Sequence, residues 1–132
     1  MGPVGADRLR DGRDIAAVLR GRRKRAGTLL VVHVGERGDA LPARVAVVAS
    51  RRVGGAVERN RAKRLLRAAS ATVSWTRGYD IVLVARAACA ESGMASVRDE
   101  LLRSAQLLEV VDVVVDLEAA PVRVSVGSDG PS

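Results

Sequence analysis

Between Arg51 and Arg67 the chain reads RRVGGAVERNRAKRLLR, and a second basic cluster, RGRRKR, spans Arg20–Arg25. Dense rows of Lys and Arg gain affinity for a polyanion by releasing the counterions condensed on its phosphates. The plainer alternative is a solvated surface kept soluble by charge. An anionic membrane fits less well, because neither cluster is flanked by bulky apolar anchors. At about 100° per residue, Ala56–Ala69 splits into two faces. Val57, Ala62, Leu65, Leu66, Ala68 and Ala69 share one; Arg59, Asn60, Lys63, Arg64 and Arg67 share the other, with Arg61 and Glu58 falling inside the apolar half. Arg59, Lys63 and Arg67 are spaced i, i+4, i+8, so their charges stack and repel by roughly 0.2–0.5 kcal/mol per pair. An external anion would relieve that repulsion. Asn60 adds a donor and an acceptor suited to a phosphate, a ribose or a base edge. Ahead of the helix stand Arg51 and Arg52. Gly54 and Gly55 would let a ligand approach the backbone where the helix start offers free N–H groups, although the same glycines suit a plain strand-to-helix turn.

Catalysis by the polypeptide would need metal-binding carboxylates or a general acid and base at close quarters. The acids are instead scattered: Asp7, Asp11 and Asp14 near the start, Glu36 and Asp39 in a turn, Asp112, Asp116 and Glu118 near the end. Asp112 and Asp116 at i, i+4 fit a solvated face better than a metal site. The single histidine, His33, lies in an apolar run, and the single cysteine, Cys89, has no nearby base. One Cys and one His can form neither an internal disulfide nor a zinc site. The chain is therefore expected to carry no catalytic or metal-binding residue of its own.

The elements that must position the basic residues come from a chain of 132 residues, enough for one domain. Lys and Arg number 22 against 15 Asp and Glu, giving a net charge of +7 and a pI near 11.1. The charge is uneven: up to Arg98 there are 20 basic and 8 acidic residues, and from Asp99 onward 2 basic and 7 acidic. Trp75 and Tyr79 are the only aromatics, so Val, Leu, Ile and Ala must build the core. The longest apolar-rich runs, Leu29–Val34 and Val45–Ala49, fall far short of the roughly 20 residues of a membrane span. Met1–Gly5 lacks the apolar stretch of a secretory signal, so a cytoplasmic location is expected.

Arg8–Leu19 reads as a helix stopped by Gly21, and Thr28–Val34 and Arg44–Ser50 read as two strands joined through the turn residues GERGD into a hairpin. A helix follows over Ala56–Ala71, a strand over Tyr79–Arg86 and a helix over Ser96–Leu108. This order predicts an α/β sandwich, a small mixed sheet with helices packed on it. Val110–Val115 fits either a helix extension or a further strand. Val126–Ser132 reads as a frayed tail, so a domain over 1–108 and an acidic, partly disordered extension over 109–132 are expected.

The string Ser50–Arg67, with Arg59-Asn60-Arg61 at its centre, closely resembles the signature of bacterial ribonuclease P proteins, where it is known as the RNR motif. The resemblance runs on through Arg8-Leu9-Arg10, Asp14-Ile15, Gly21-Arg22-Arg23, Arg44 and YDIVLVAR at Tyr79–Arg86, and covers Arg8–Leu108. It implies a ribosomal S5 domain 2-like fold with a left-handed βαβ crossover, whereas right-handed crossovers are the rule. It further implies a partnership with the catalytic ribonuclease P RNA, help in removing the 5′ leader of precursor tRNA, and chemistry carried by RNA-bound Mg²⁺; no obligate protein partner is expected. Carried over by motif, Arg51, Arg52, Arg59, Asn60, Arg61, Lys63, Arg64 and Arg67 would contact RNA. A cleft between the first helix and the sheet would receive the leader, with Arg8, Ile15, Leu19, Val32, His33 and Val48 as its candidates. At Ile15 and Leu19 the family usually has aromatics, whose stacking is worth about 1–3 kcal/mol per base. A general RNA-binding or assembly protein is the alternative reading. A DNA-binding regulator fits less well, since no second helix is joined to Ala56–Ala69 by a short turn.

Overall fold

A computed structural model describes residues 6–112; the expected frayed tail and most of the acidic extension lie outside the described residues. The chain forms β1 (Asp7–Arg8), α1 (Gly12–Arg20), β2 (Lys24–Ala26), β3 (Leu30–Glu36), β4 (Arg44–Val48), α2 (Ala56–Ser70), β5 (Tyr79–Ala85) and α3 (Met94–Leu107), with short 3₁₀ turns at Arg51–Val53 and Ala87–Glu91. The strands make one sheet in the order β1-β4-β5-β3-β2. β1, β4 and β5 run parallel, and β3 and β2 are antiparallel to their neighbours.

The expected α/β sandwich is present, but the expected hairpin is not. β5 lies between β3 and β4, pairing with β3 from Tyr79 to Ala85 and with β4 from Asp80 to Val84. The reason is visible in β5 itself, whose Ile81, Val82 and Leu83 are all fully buried. A strand apolar on both faces belongs at the centre of a sheet covered on both sides. α2 is the crossover that brings β5 alongside β4.

The first helix also starts later than its pattern suggests. Asp11 caps α1 by accepting the Arg13 N–H at 2.8 Å, and Arg8 is drawn into β1. Leu9 still reaches the core, but from the end of a strand, where it packs with Val18, Ala46 and Val82. The RGRRKR cluster hides a further strand. Lys24–Ala26 forms the exposed outer edge beside β3, where charge discourages pairing with other chains. Past α3, Glu109 takes a positive φ of 62° and Val111 bridges to Trp75, so the chain turns back in extended form instead of prolonging the helix.

Side chains alternate across the sheet. Leu30, Val32, Val34, Ile81 and Leu83 face α2 and α3, whereas Ala46, Val82 and the half-buried Val48 and Val84 face α1. Gly35 makes room for α1: a Cβ there would come within 3.1 Å of Val18 Cγ2. On the other face Ala62, Leu66 and Ala69 of α2 are fully buried. Burying Leu66 alone contributes about 2 kcal/mol, which outweighs the repulsion along the basic face of the same helix. α3 is tied to the sheet by Glu100, whose carboxylate accepts the backbone N–H groups of Thr28, Leu29 and Leu30 at 3.1, 2.8 and 3.0 Å. Replacing this residue, Glu100→Ala, leaves those donors without their acceptor and is expected to cost about 2–3 kcal/mol, read as a lower urea midpoint with an unchanged slope.

Candidate RNA interface

Arg51 and Arg52 stand exposed in the 3₁₀ turn that follows β4, with the Ser50 hydroxyl accepting the Arg52 N–H. Gly54 has φ 143°, and a Cβ there would lie 2.8 Å from Glu58 Cβ. The glycine thus allows Glu58 to fold back and accept the Gly55 N–H at 2.9 Å. These glycines thus serve the turn and the helix cap. The basic face of α2 is instead open along its side. Asn60, Arg64 and Arg67 are exposed, and Arg59 and Lys63 half-buried. Among the described residues every ion pair belongs to Arg37 or Arg44, so none neutralises α2. Arg61 differs from its neighbours: its Nε donates to Ala90 O at 2.6 Å and fastens α2 to the 3₁₀ turn at Ala87–Glu91. Val57, placed by its spacing on the apolar side, is 75% exposed at the start of the helix, ahead of the first turn that docks on the sheet.

The second candidate surface is the sheet face beneath α1. At nine residues, α1 is too short to cover it. Ile15, Leu19, Val48 and Val84 are left half-buried around Leu9, Val18, Ala46 and Val82. Val32 does not join them. It is fully buried on the opposite face, because a strand's successive side chains point to opposite sides. His33 sits on the α1 face opposite Val82, almost fully buried, with Nδ1 unpartnered. Burial first, and then the charge of Lys24 on the adjoining strand, lowers its pKa below the ordinary imidazole value. Val84 was not among the expected cleft residues; its place follows only from β5 lying between the other two strands.

A buried charge cluster closes the end of this face. Asp80 on β5 accepts Arg44 Nε and Nη2 at 2.8 and 2.7 Å and Arg37 Nη1 at 2.7 Å. Arg37 also donates to Asp39 and to the carbonyls of Tyr79, Leu41 and Pro42, which fixes the β3–β4 connection. Arg44 reaches Asp14 of α1 at 3.4 Å. Elsewhere, Arg23 lies 5.4 Å over the Tyr79 ring and donates to Leu108 O. Cys89 is buried, which raises its thiol pKa and suits a small apolar role. Among the described residues no group of three His, Cys, Asp or Glu side chains gathers as a metal site requires, and no helix is long and apolar enough to cross a membrane.

Together these features define a basic α/β sandwich with one cationic helix that no ion pair among the described residues compensates, and one partly uncovered sheet face. The family described as Ribonuclease P matches residues 5–109. A ribonuclease P protein component from Alkaliphilus oremlandii is 30% identical over 111 residues, covering 83% of this chain and 96% of that one. Another, from Dehalococcoides mccartyi strain CBDB1, is 49% identical over 74 residues, covering 52% of this chain and 60% of its own length. Among solved structures, the RNase P protein of Thermotoga maritima superposes with a TM-score of 0.63 at 27% identity, covering 74% of this chain and 93% of that one. The Staphylococcus aureus RNase P protein shares the fold, with a TM-score of 0.68 at 20% identity over 81% of this chain and 99% of its own. The chain belongs to the ribonuclease P protein family.

The Asp80 cluster yields a pH prediction. Burial by itself would raise the Asp80 pKa, but hydrogen bonds from Arg44 and Arg37 outweigh it and hold the carboxyl below its ordinary value. Between that lowered value and about pH 4 the unfolded chain binds the extra proton, so the contribution of Asp80 is full above this window and lost as pH falls through it. Asp80→Asn leaves two guanidiniums without their carboxylate and is expected to cost about 3 kcal/mol at neutral pH. Its stability, measured by urea unfolding at successive pH values, should also fall less steeply below pH 4 than that of the wild type.

Proposed function

We propose that this protein is the RNA-binding subunit of ribonuclease P, acting in the cytoplasm with a catalytic RNA to remove the 5′ leader of precursor tRNA. The observation that carries the reading is the open basic row on α2, built on the RNR string and left without internal counter-ions among the described residues. On this reading Arg51, Arg52, Arg59, Asn60, Lys63, Arg64 and Arg67 meet the partner RNA, and the exposed Arg61 holds the helix in place. The strip formed by Ile15, Leu19, Val48 and Val84 under α1 receives the leader, with His33 at its floor. The protein's physical work is to reduce repulsion between two polyanions and to hold the substrate. Bond cleavage falls to the RNA and to Mg²⁺ bound mainly by that RNA, since the described acids are scattered or committed to internal contacts.

Cleavage of a precursor tRNA by a bacterial ribonuclease P RNA at low Mg²⁺ tests the whole reading. The protein should stimulate cleavage at the mature 5′ end and cleave nothing alone; tight RNA binding without stimulation would leave only a general RNA-binding module. The combined variant Arg59→Ala/Lys63→Ala/Arg67→Ala should stay folded, because these side chains lie outside the core. At about 1 kcal/mol for each phosphate the three side chains meet, it should bind the RNA roughly 100-fold more weakly, with a salt dependence flattened by about one unit for each of those phosphates. An unchanged Kd and slope would sink the assignment of α2.

A further inference from the structure

Past α3 the chain crosses the end of the sheet in a fixed direction. The Thr76 N–H donates to Val110 O and the Asp112 N–H to Ser74 O, both at 2.8 Å, around the antiparallel bridge between Val111 and Trp75. Residues 110–112 therefore run opposite to 74–76, back toward the end of α2. That end is close, because the Trp75 indole donates to the Ser70 hydroxyl in the last turn of α2 at 3.1 Å. Val111 packs against the core while Asp112 is exposed, and the sequence carries this alternation onward. In VVDVVVDLE, residues 110–118, a period of two puts Asp112, Asp116 and Glu118 on one side and Val111, Val113, Val115 and Leu117 on the other. Together with Glu109, these ten residues hold four acids and no base.

What lies ahead in that direction is basic. Arg67 and Arg64 are exposed, Lys63 is half-buried one turn before Arg67, and the one acid of the helix, Glu58, is at its far end. Six residues of extended chain, 113–118, span about 20 Å, whereas the step back along the helix from Ser70 to Lys63 rises only about 10 Å. Asp116 and Glu118 are thus within reach of the row. Arg77 and Arg23 lie behind the direction of travel, since Arg77 follows Thr76 and Arg23 donates to Leu108 O.

We propose that the segment following Asp112 docks along the basic row of α2, with Asp116 and Glu118 paired to Lys63, Arg64 and Arg67, and so acts as an internal competitor for RNA. The competition rests on the RNA-binding reading of the protein; the docking does not. Exposed ion pairs are individually weak and are screened by salt. A polyanion that offers many phosphates at once therefore displaces the segment, whereas a short or poorly matched one does not. The effect is discrimination against weak encounters, obtained by setting a like-charged competitor on the binding face.

Carbodiimide coupling joins a carboxylate to a lysine amine only where the two touch, and the chain has just two lysines, Lys24 and Lys63. In the full chain at low salt, mass spectrometry should find Asp116 or Glu118 joined to Lys63 of the same molecule. Asp116→Asn/Glu118→Gln should bind ribonuclease P RNA about 3-fold more tightly than the wild type, and the difference should close as salt rises. Asp99→Asn/Glu36→Gln removes the same charge from exposed positions on α3 and β3 and should leave the affinity unchanged. Absence of the Lys63 link, a link to Lys24 alone, or a link only between two copies overturns the docking. Unchanged affinity in Asp116→Asn/Glu118→Gln overturns the competition, as does equal tightening by both variants, since net charge alone would then account for it. If no form of the chain binds that RNA, the wider reading fails while the Lys63 link still decides the docking.

Discussion

One carboxylate, that of Asp80, sets the geometry on which both candidate surfaces depend. It sits on the central strand, nearly buried, and takes a guanidinium from β4 and another from the connection that leaves β3. Three successive stretches of chain are thereby held at one end of the sheet. Arg37 then fixes the connection itself through the carbonyls of Tyr79, Leu41 and Pro42, and Arg44 extends the cluster to α1 through Asp14. A buried ion pair is weak evidence for net stability, because desolvation offsets its attraction. Its clearer effect here is positional. Swapping the neighbours of β5 would separate Asp80 from both arginines and leave charges buried without partners.

The placement of the acids also explains why the surface is so basic. Several of them are engaged by internal backbone or guanidinium groups: Asp11 at the cap of α1, Glu58 at the cap of α2, Glu100 on three N–H groups ahead of β3, Asp39 and Asp80 on Arg37 and Arg44. Asp80 and Glu100 are thereby drawn in from the surface, whereas Asp11, Asp39 and Glu58 stay exposed but tied to their own caps and turns. Arg59, Lys63, Arg64 and Arg67 are left to solvent or to a ligand. The repulsion this leaves on α2 is tolerable because the helix is held by its buried side, where Ala62, Leu66 and Ala69 bring it close to the sheet. On the proposed reading, stability and binding occupy opposite faces of one helix, so a substitution on either can be read with little interference from the other.

Much of this is legible in the residues, and the limits have physical causes. α2, β5 and the stop at Gly21 follow from local pattern and punctuation, which act within a few residues. The hairpin is the wrong pairing because adjacency in sequence says nothing about a third strand arriving from much further along the chain. β2 stays hidden because an edge strand with both faces exposed has no apolar alternation to reveal it. Val32 falls to the cleft for want of a register: a one-residue slip sends every side chain to the other face, and only the pairing with β5 decides which of Val32 and His33 looks toward α1. The RNR string carries the family, but its glycines resemble a phosphate cradle until Glu58 is seen to take the Gly55 N–H.

The absence of Phe has its own consequence for how the α1 face can hold a nucleic acid strand. The two aromatic side chains are committed elsewhere: the Trp75 indole donates to Ser70 at the end of α2, and the Tyr79 ring lies under Arg23. What lines the face is aliphatic, and a branched aliphatic chain offers contact area without the flat surface on which a base stacks. On the proposed reading, grip must then come from shape and from charge at the margins of the strip. Charge is what the margin supplies at the outer strand, where Lys24 stands beside His33. Because phosphates are the same whatever the base, a strand held in this way is recognised for being single and extended more than for its sequence.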